Sequence, residues 1–169
     1  MSDEIEGFEG GCTCGHVRFR GTSGALIVHC CHCRWCQRQT GSAFALNALI
    51  EADRVALLTG EVEEILTASP SGKGQTIARC PKCKVAVWSN YHMGGLKERI
   101  RFIRVGTLDT PDLLPPDVHI FTTTKQPWVV LPANARAFST FYKYETTWSD
   151  DSLTRRSALM EAAGIEMPK

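Results

Sequence analysis

Cys30-Cys31-His32-Cys33-Arg34-Trp35-Cys36 places four cysteines in seven residues, and the partner those thiols take decides the fold. The other four cysteines form two pairs, Cys12-Thr13-Cys14 upstream and Cys80-Pro81-Lys82-Cys83 downstream. Eight cysteines in a small secreted chain would suggest a disulfide framework. Here the chain has 169 residues, is 43% hydrophobic and can bury one core without such staples. Its acidic start, Met1-Ser2-Asp3-Glu4-Ile5-Glu6, lacks the basic end and apolar run of a secretory signal, which points to the cytoplasm. In that reducing setting, clustered thiols read as metal ligands.

A CxC on an extended segment turns both side chains to one side, and a CxxC brings two together around a tight turn. Two such pincers complete a four-thiolate shell, so Cys12, Cys14, Cys80 and Cys83 can close one site. Cys31, Cys33 and Cys36 then offer three thiolates with a fourth position free, the arrangement that distinguishes a reactive zinc from a structural one. Spacing alone equally permits a zinc ribbon of Cys33, Cys36, Cys80 and Cys83. Cys30 and His32 alternate with Cys31 and Cys33, so they should face the other way as packing or hydrogen-bonding residues. His29, His92 and His119 have no metal spacing and read as structural. Trp35 and Trp88 read as core or knuckle packing, with flanking of a ligand as the alternative.

Around the cysteines the pattern is that of short strands. Alternating or apolar runs at 17–20, 25–30, 43–50, 54–58, 62–66, 76–79, 85–88 and 101–105 are separated by turn residues. Residues 35–40 suggest a short helix stopped at Gly41, and 149–164 a terminal helix started by Ser149 and closed by Gly164, with Leu153, Leu159 and Met160 on one face. Residues 110–117 form a Pro-rich loop. The segment 119–131 is expected to bury Phe121, Trp128, Val129 and Val130. The fold class is therefore mainly all-β with a short C-terminal helix, organised as a tail over 1–7, a zinc-binding domain over 8–144 and an extension over 145–169. Nineteen Lys and Arg against eighteen Asp and Glu give no footprint for nucleic acid, and no apolar run approaches the roughly 20 residues that span a bilayer.

The run Cys31 to Phe44, with Gly10-Gly11-Cys12-Thr13-Cys14-Gly15, Ser71-Gly72-Lys73-Gly74, Cys80-Pro81-Lys82-Cys83, Arg104-Val105-Gly106-Thr107-Leu108-Asp109 and His119 to Val129, resembles the glutathione-dependent formaldehyde-activating enzyme family, which includes centromere protein V. The resemblance covers roughly residues 8 to 144. It implies an Mss4-like fold of several small antiparallel sheets and two zinc ions per chain, one structural on Cys12, Cys14, Cys80 and Cys83. The second, on Cys31, Cys33 and Cys36, would engage the glutathione thiol for addition to formaldehyde, a carbon–sulfur lyase reaction in reverse. Lys84-Val85 departs from the Gly and small hydroxyl residue usual after the CxxC. This marks a divergent member, and the acceptor aldehyde is correspondingly open.

A thiol substrate also follows from the chemistry, because a soft three-thiolate site readily takes a fourth sulfur and keeps it ionised. Arg34, Arg38 or Lys125 could meet the two glutathione carboxylates, although each alone reads as a solvated charge. The rivals are a non-catalytic zinc scaffold, which an exposed apolar patch on the terminal helix would favour, and a glutathione carrier. The sequence is silent on oligomeric state.

Overall fold

The computed structural model describes residues 6–92 and 94–166, so most of the expected tail over 1–7 and the last three residues lie outside the described residues. Ten strands form two sheets. The smaller contains β1 (Phe8–Gly11), β2 (Arg18–Gly21) and β5 (Val55–Thr59), in the order β1-β2-β5. The larger contains β3 (Ile27–Cys31), β4 (Ala45–Glu51), β6 (Glu63–Thr67), β7 (Gln75–Arg79), β8 (Ala86–Tyr91), β9 (Ile100–Arg104) and β10 (Val118–Ile120), in the order β10-β3-β4-β9-β8-β7-β6. The mainly all-β expectation holds, with seven strands gathered in one sheet. One pair is parallel: β10 runs beside β3, placing His119 opposite Cys30.

Pleating gives the large sheet two working faces. From β3, β4, β8 and β9, the side chains of Val28, Ala48, Ile50, Trp88 and Ile103 pack against Phe8 and Phe19 of the small sheet and Val17 just before β2. The Phe19 and Trp88 rings meet edge to face at 5.6 Å, so Trp88 belongs to this core. Ile27, Cys31 and Leu49 point the opposite way, into a second core with Val118, Ile120, Tyr142, Trp148 and Met160.

Among the described residues there are three α-helices: α1 (Arg34–Thr40), α2 (Tyr144–Thr147) and α3 (Asp150–Ala162). Helix α1 ends as expected at Gly41, whose φ of 63° suits a residue without Cβ. Ser149 caps α3 by accepting from the Ser152 amide, with Asp150 and Asp151 at the positive end of the dipole. Met160 is buried, and Leu153 and Leu159 pack beside it on the second core. Arg155 pairs with the buried Glu51 carboxylate at 2.6 Å, tying α3 to β4. None of the described helices is long and apolar enough to cross a membrane.

The segment 119–131 departs from expectation. Phe121 is partly buried, but Trp128 is 72% and Val130 88% exposed. Polar groups dock this segment instead. Gln37 of α1 donates to the Thr124 carbonyl, Gln126 donates to Gln37 Oε1, and Lys125 Nζ reaches the Val129 carbonyl. Satisfying those polar atoms fixes the loop with Trp128 and Val130 outward and Val129 half-buried.

Candidate metal centres

The four outer cysteines meet at the tips of two hairpins. Cys12 to Val17 links β1 to β2, and the Cys12 amide donates to the Val17 carbonyl at 3.0 Å. Cys80 to Val85 links β7 to β8 with the same bond, Cys80 amide to Val85 carbonyl, also at 3.0 Å. The CxC is therefore not on an extended segment: the Gly15 amide closes a turn onto the Cys12 carbonyl, and Gly15 takes φ of 75°. In the second knuckle the left-handed position is Lys84, at φ 63°, the residue singled out as a departure from the family pattern. Its side chain is anchored to Glu63 at 2.7 Å.

Cys12, Cys14, Cys80 and Cys83 have their sulfurs within 4.8 Å of one another. The Cys12–Cys14 and Cys14–Cys80 separations are 3.5 and 3.7 Å. Sulfurs bonded tetrahedrally to zinc at about 2.3 Å lie about 3.8 Å apart, so this donor set fits the ion. Sulfur hydrogen bonds couple the four thiols. The Val85 and Cys14 amides lead in holding Cys83 down to about 6, while Cys14 is pushed up to about 11 by Cys12, Cys83 and Cys80 together with burial, despite the His16 amide.

The middle cluster sits on the other face, where β3 runs into α1. Cys31 ends β3, and Cys33 is the N-cap of α1, its sulfur accepting from the Cys36 amide at 3.4 Å. Cys31, Cys33 and Cys36 also converge within 4.8 Å. Cys33 is held down to about 2 by sulfur hydrogen bonds from Cys31 and Cys36 and by backbone amides, whereas Cys31 is pushed up by the same contacts and by burial. Sulfur hydrogen bonds thus couple the three thiols, an arrangement that a cation would replace with three thiolates. A group of three sulfurs, one of them buried and two partly exposed, fits a soft metal with one position left for a ligand.

Cys30 and His32 do turn away from this cluster. With His119, brought in by β10, they form a third buried group: Cys30 Sγ lies 3.5 Å and His119 Nδ1 3.0 Å from His32 Nε2. His119 has no metal spacing to the other histidines in the sequence; a parallel pairing between distant strands creates the contact. His29 is buried, held neutral with its pKa lowered to about 3 by burial, and lies 2.6 Å from the Tyr142 hydroxyl. His92 bonds Thr76. Trp35 is exposed on α1 rather than packed in a core or knuckle as expected. Arg34 and Arg38 are exposed, Arg34 bonding Gln37. Lys125 is turned into its own loop.

A further residue faces the middle cluster. Register pairs His29 with Asn47 and Asn47 with Arg104, so Arg104 shares the face of Cys31, and its Nη1 donates to Asn47 Oδ1 at 2.5 Å. Burial pushes the guanidinium down from the ordinary arginine range, while the Cys36 and Cys31 sulfurs oppose that effect.

Residues 7–124 match the model of the family described as glutathione-dependent formaldehyde-activating enzyme. Among curated proteins none matches. Among solved structures, a Rhodobacter sphaeroides protein determined as a structural-genomics target is similar at 16% identity, over 60% of this chain and 87% of that one, with a TM-score of 0.45.

Proposed function

Because the chain belongs to the glutathione-dependent formaldehyde-activating enzyme family, we propose that it is a two-zinc carbon–sulfur lyase-type enzyme acting on the adduct of a small thiol, glutathione first, with a small aldehyde such as formaldehyde. Cys12, Cys14, Cys80 and Cys83 are the ligands of a structural zinc, and Cys31, Cys33 and Cys36 those of the reactive one. The observation that carries this reading is the contrast between four converging sulfurs and three. When bound in the three-sulfur site, zinc supplies a soft Lewis acid that favours an ionised thiol.

The chain's own residues set up the rest. Cys33 and Cys36 hold the mouth of the site on the first turn of α1, while Cys31 anchors it to the sheet. The thiol gives its proton to water on ionising, the thiolate sulfur attacks the aldehyde carbon, a carbon–sulfur bond forms, and the carbonyl electron pair becomes an alkoxide that takes a proton back from water, giving a hydroxymethyl thioether. The cytoplasm, where glutathione is abundant and thiols stay reduced, is the compartment this chemistry implies. The scaffold alternative has lost its main support, since the apolar residues of α3 face the second core.

The test is cobalt substitution followed by kinetics. Thiolate-to-cobalt absorption should change on adding glutathione, stay unchanged with its S-methyl derivative, and fail to respond in C33S. Adduct formation must then exceed the uncatalysed mixture of thiol and aldehyde, since tight thiol binding alone stabilises the ground state as well. A spectrum indifferent to millimolar glutathione would overturn the enzyme reading; a response without acceleration would make the protein a carrier.

A further inference from the structure

Three thiolates around a divalent ion leave one net negative charge, and a fourth thiolate doubles it. Concentrating that charge on a partly buried sheet face is unfavourable without a nearby cation. Arg104 is such a cation. It lies on the same face as Cys31, two strands away in the register, and its guanidinium is fixed by Asn47, which is 5% exposed. Among the described residues no carboxylate is found acting on it, and Asn47 takes a single one of its N–H groups. Arg79, the other cation near it, spends Nη1 on the Lys84 carbonyl. The remaining donors of Arg104 are not committed to another side chain, and the Cys36 and Cys31 sulfurs lie close enough to act on its charge.

We propose that Arg104 is the positioning cation of the three-sulfur site and makes its fourth position selective for an anionic sulfur over a neutral donor. This rests on the reading of that site given above and adds a determinant of which ligand enters. Arg104 acts through charge on the whole cluster, so it should not distinguish one small thiolate from another. Arg34 and Arg38, exposed on α1, remain available for the substrate carboxylates.

The experiment compares cobalt-loaded full-length wild type, R104K and R104M, after two metal equivalents have been verified in each. Glutathione, 2-mercaptoethanol and imidazole are titrated and followed by absorption. R104M should bind both thiols at least about tenfold more weakly with imidazole affinity unchanged, and R104K should recover most of the loss, because an effective dielectric near 20 still transmits a unit charge over this range. Equal weakening toward imidazole would make Arg104 merely structural and overturn the proposal. So would a loss confined to glutathione, which would assign Arg104 to a carboxylate, or no loss at all. Should R104M fail to hold both metals, R104Q keeps an amide for Asn47 without the charge and is read against the same outcomes. A wild-type protein that ignores every thiol would instead refute the enzyme reading, whatever the variants do.

Discussion

The two faces of the seven-stranded sheet use cysteine in opposite ways. On the face toward the small sheet, Cys12 and Cys14 meet Cys80 and Cys83 from another hairpin, so an ion there joins β1–β2 to β7–β8 and closes a long loop. On the opposite face, Cys31, Cys33 and Cys36 come from six consecutive residues and are already placed by the end of β3 and the first turn of α1. Cross-linking across a large sequence separation restricts the unfolded chain far more than cross-linking within one turn. On the two-zinc reading proposed above, an ion in the first site would be committed to folding and one in the second left available for chemistry.

Breaking that comparison is most direct at Cys80, which is fully buried. C80S should cost more than the whole stability of a typical domain, about 5–15 kcal/mol, because finger-type zinc sites contribute about 10–16 kcal/mol. Circular dichroism should report an unfolded chain at ambient temperature; a cooperative transition near the wild-type temperature would show that the hairpins need no metal.

The cover over the reactive face depends on a different force. R155M leaves the Glu51 carboxylate buried without its main partner and should cost about 3 kcal/mol, read from urea denaturation, without loss of metal from the four-cysteine site. Glu51 is held below its usual range: burial pushes it up, but the Arg155 hydrogen bonds and charge outweigh that. Its contribution is complete above the unfolded carboxyl value of about 4.3 and drains as pH falls through the lower folded value. E51Q should accordingly flatten the acid side of the stability profile below about pH 4.

C36S sharpens the contrast from the other side. It should release one metal equivalent and abolish the cobalt response to thiols, with a stability change of about 1–2 kcal/mol, since the three sulfurs cross-link only one turn. A loss as large as that of C80S would mean both ions hold the fold.

The smallest effect belongs to the knuckle that carries Lys84 at positive φ. A side chain there costs about 1 kcal/mol relative to glycine, and the exposed Glu63 pair returns only part of it. K84G should raise stability by about 0.5 kcal/mol in thermal or chemical denaturation, while the same change at an ordinary strand position would lower it.

What could be read before the structure was whatever is local. The three cysteine groups, the stop at Gly41, the start at Ser149 and eight of the strands are written in neighbouring residues, as is the alternation that separates Cys30 and His32 from Cys31 and Cys33. Non-local pairings were hidden. Nothing in Val118-His119-Ile120 announces a parallel strand beside β3, so His119 read as an isolated histidine. Arg104 showed only as one end of an alternating run, since its face acquires meaning through the register of β9 on β4. Trp128 was misplaced because apolar character says nothing of the Gln37, Gln126 and Thr124 bonds that fix the loop.

The alternation along β3 gives the strand the properties of a reading frame. Cys30 and His32 point to one side, Cys31 and Cys33 to the other, and every residue of the strand is buried. A slip of one position against β4 would present Cys30 and His32 where the three thiols converge, and would turn Cys31 and Cys33 toward His119. Drift in this family member is therefore constrained less by which residues β3 contains than by their parity. Single insertions or deletions between Ile27 and Cys33 should abolish the chemistry even where composition is conserved.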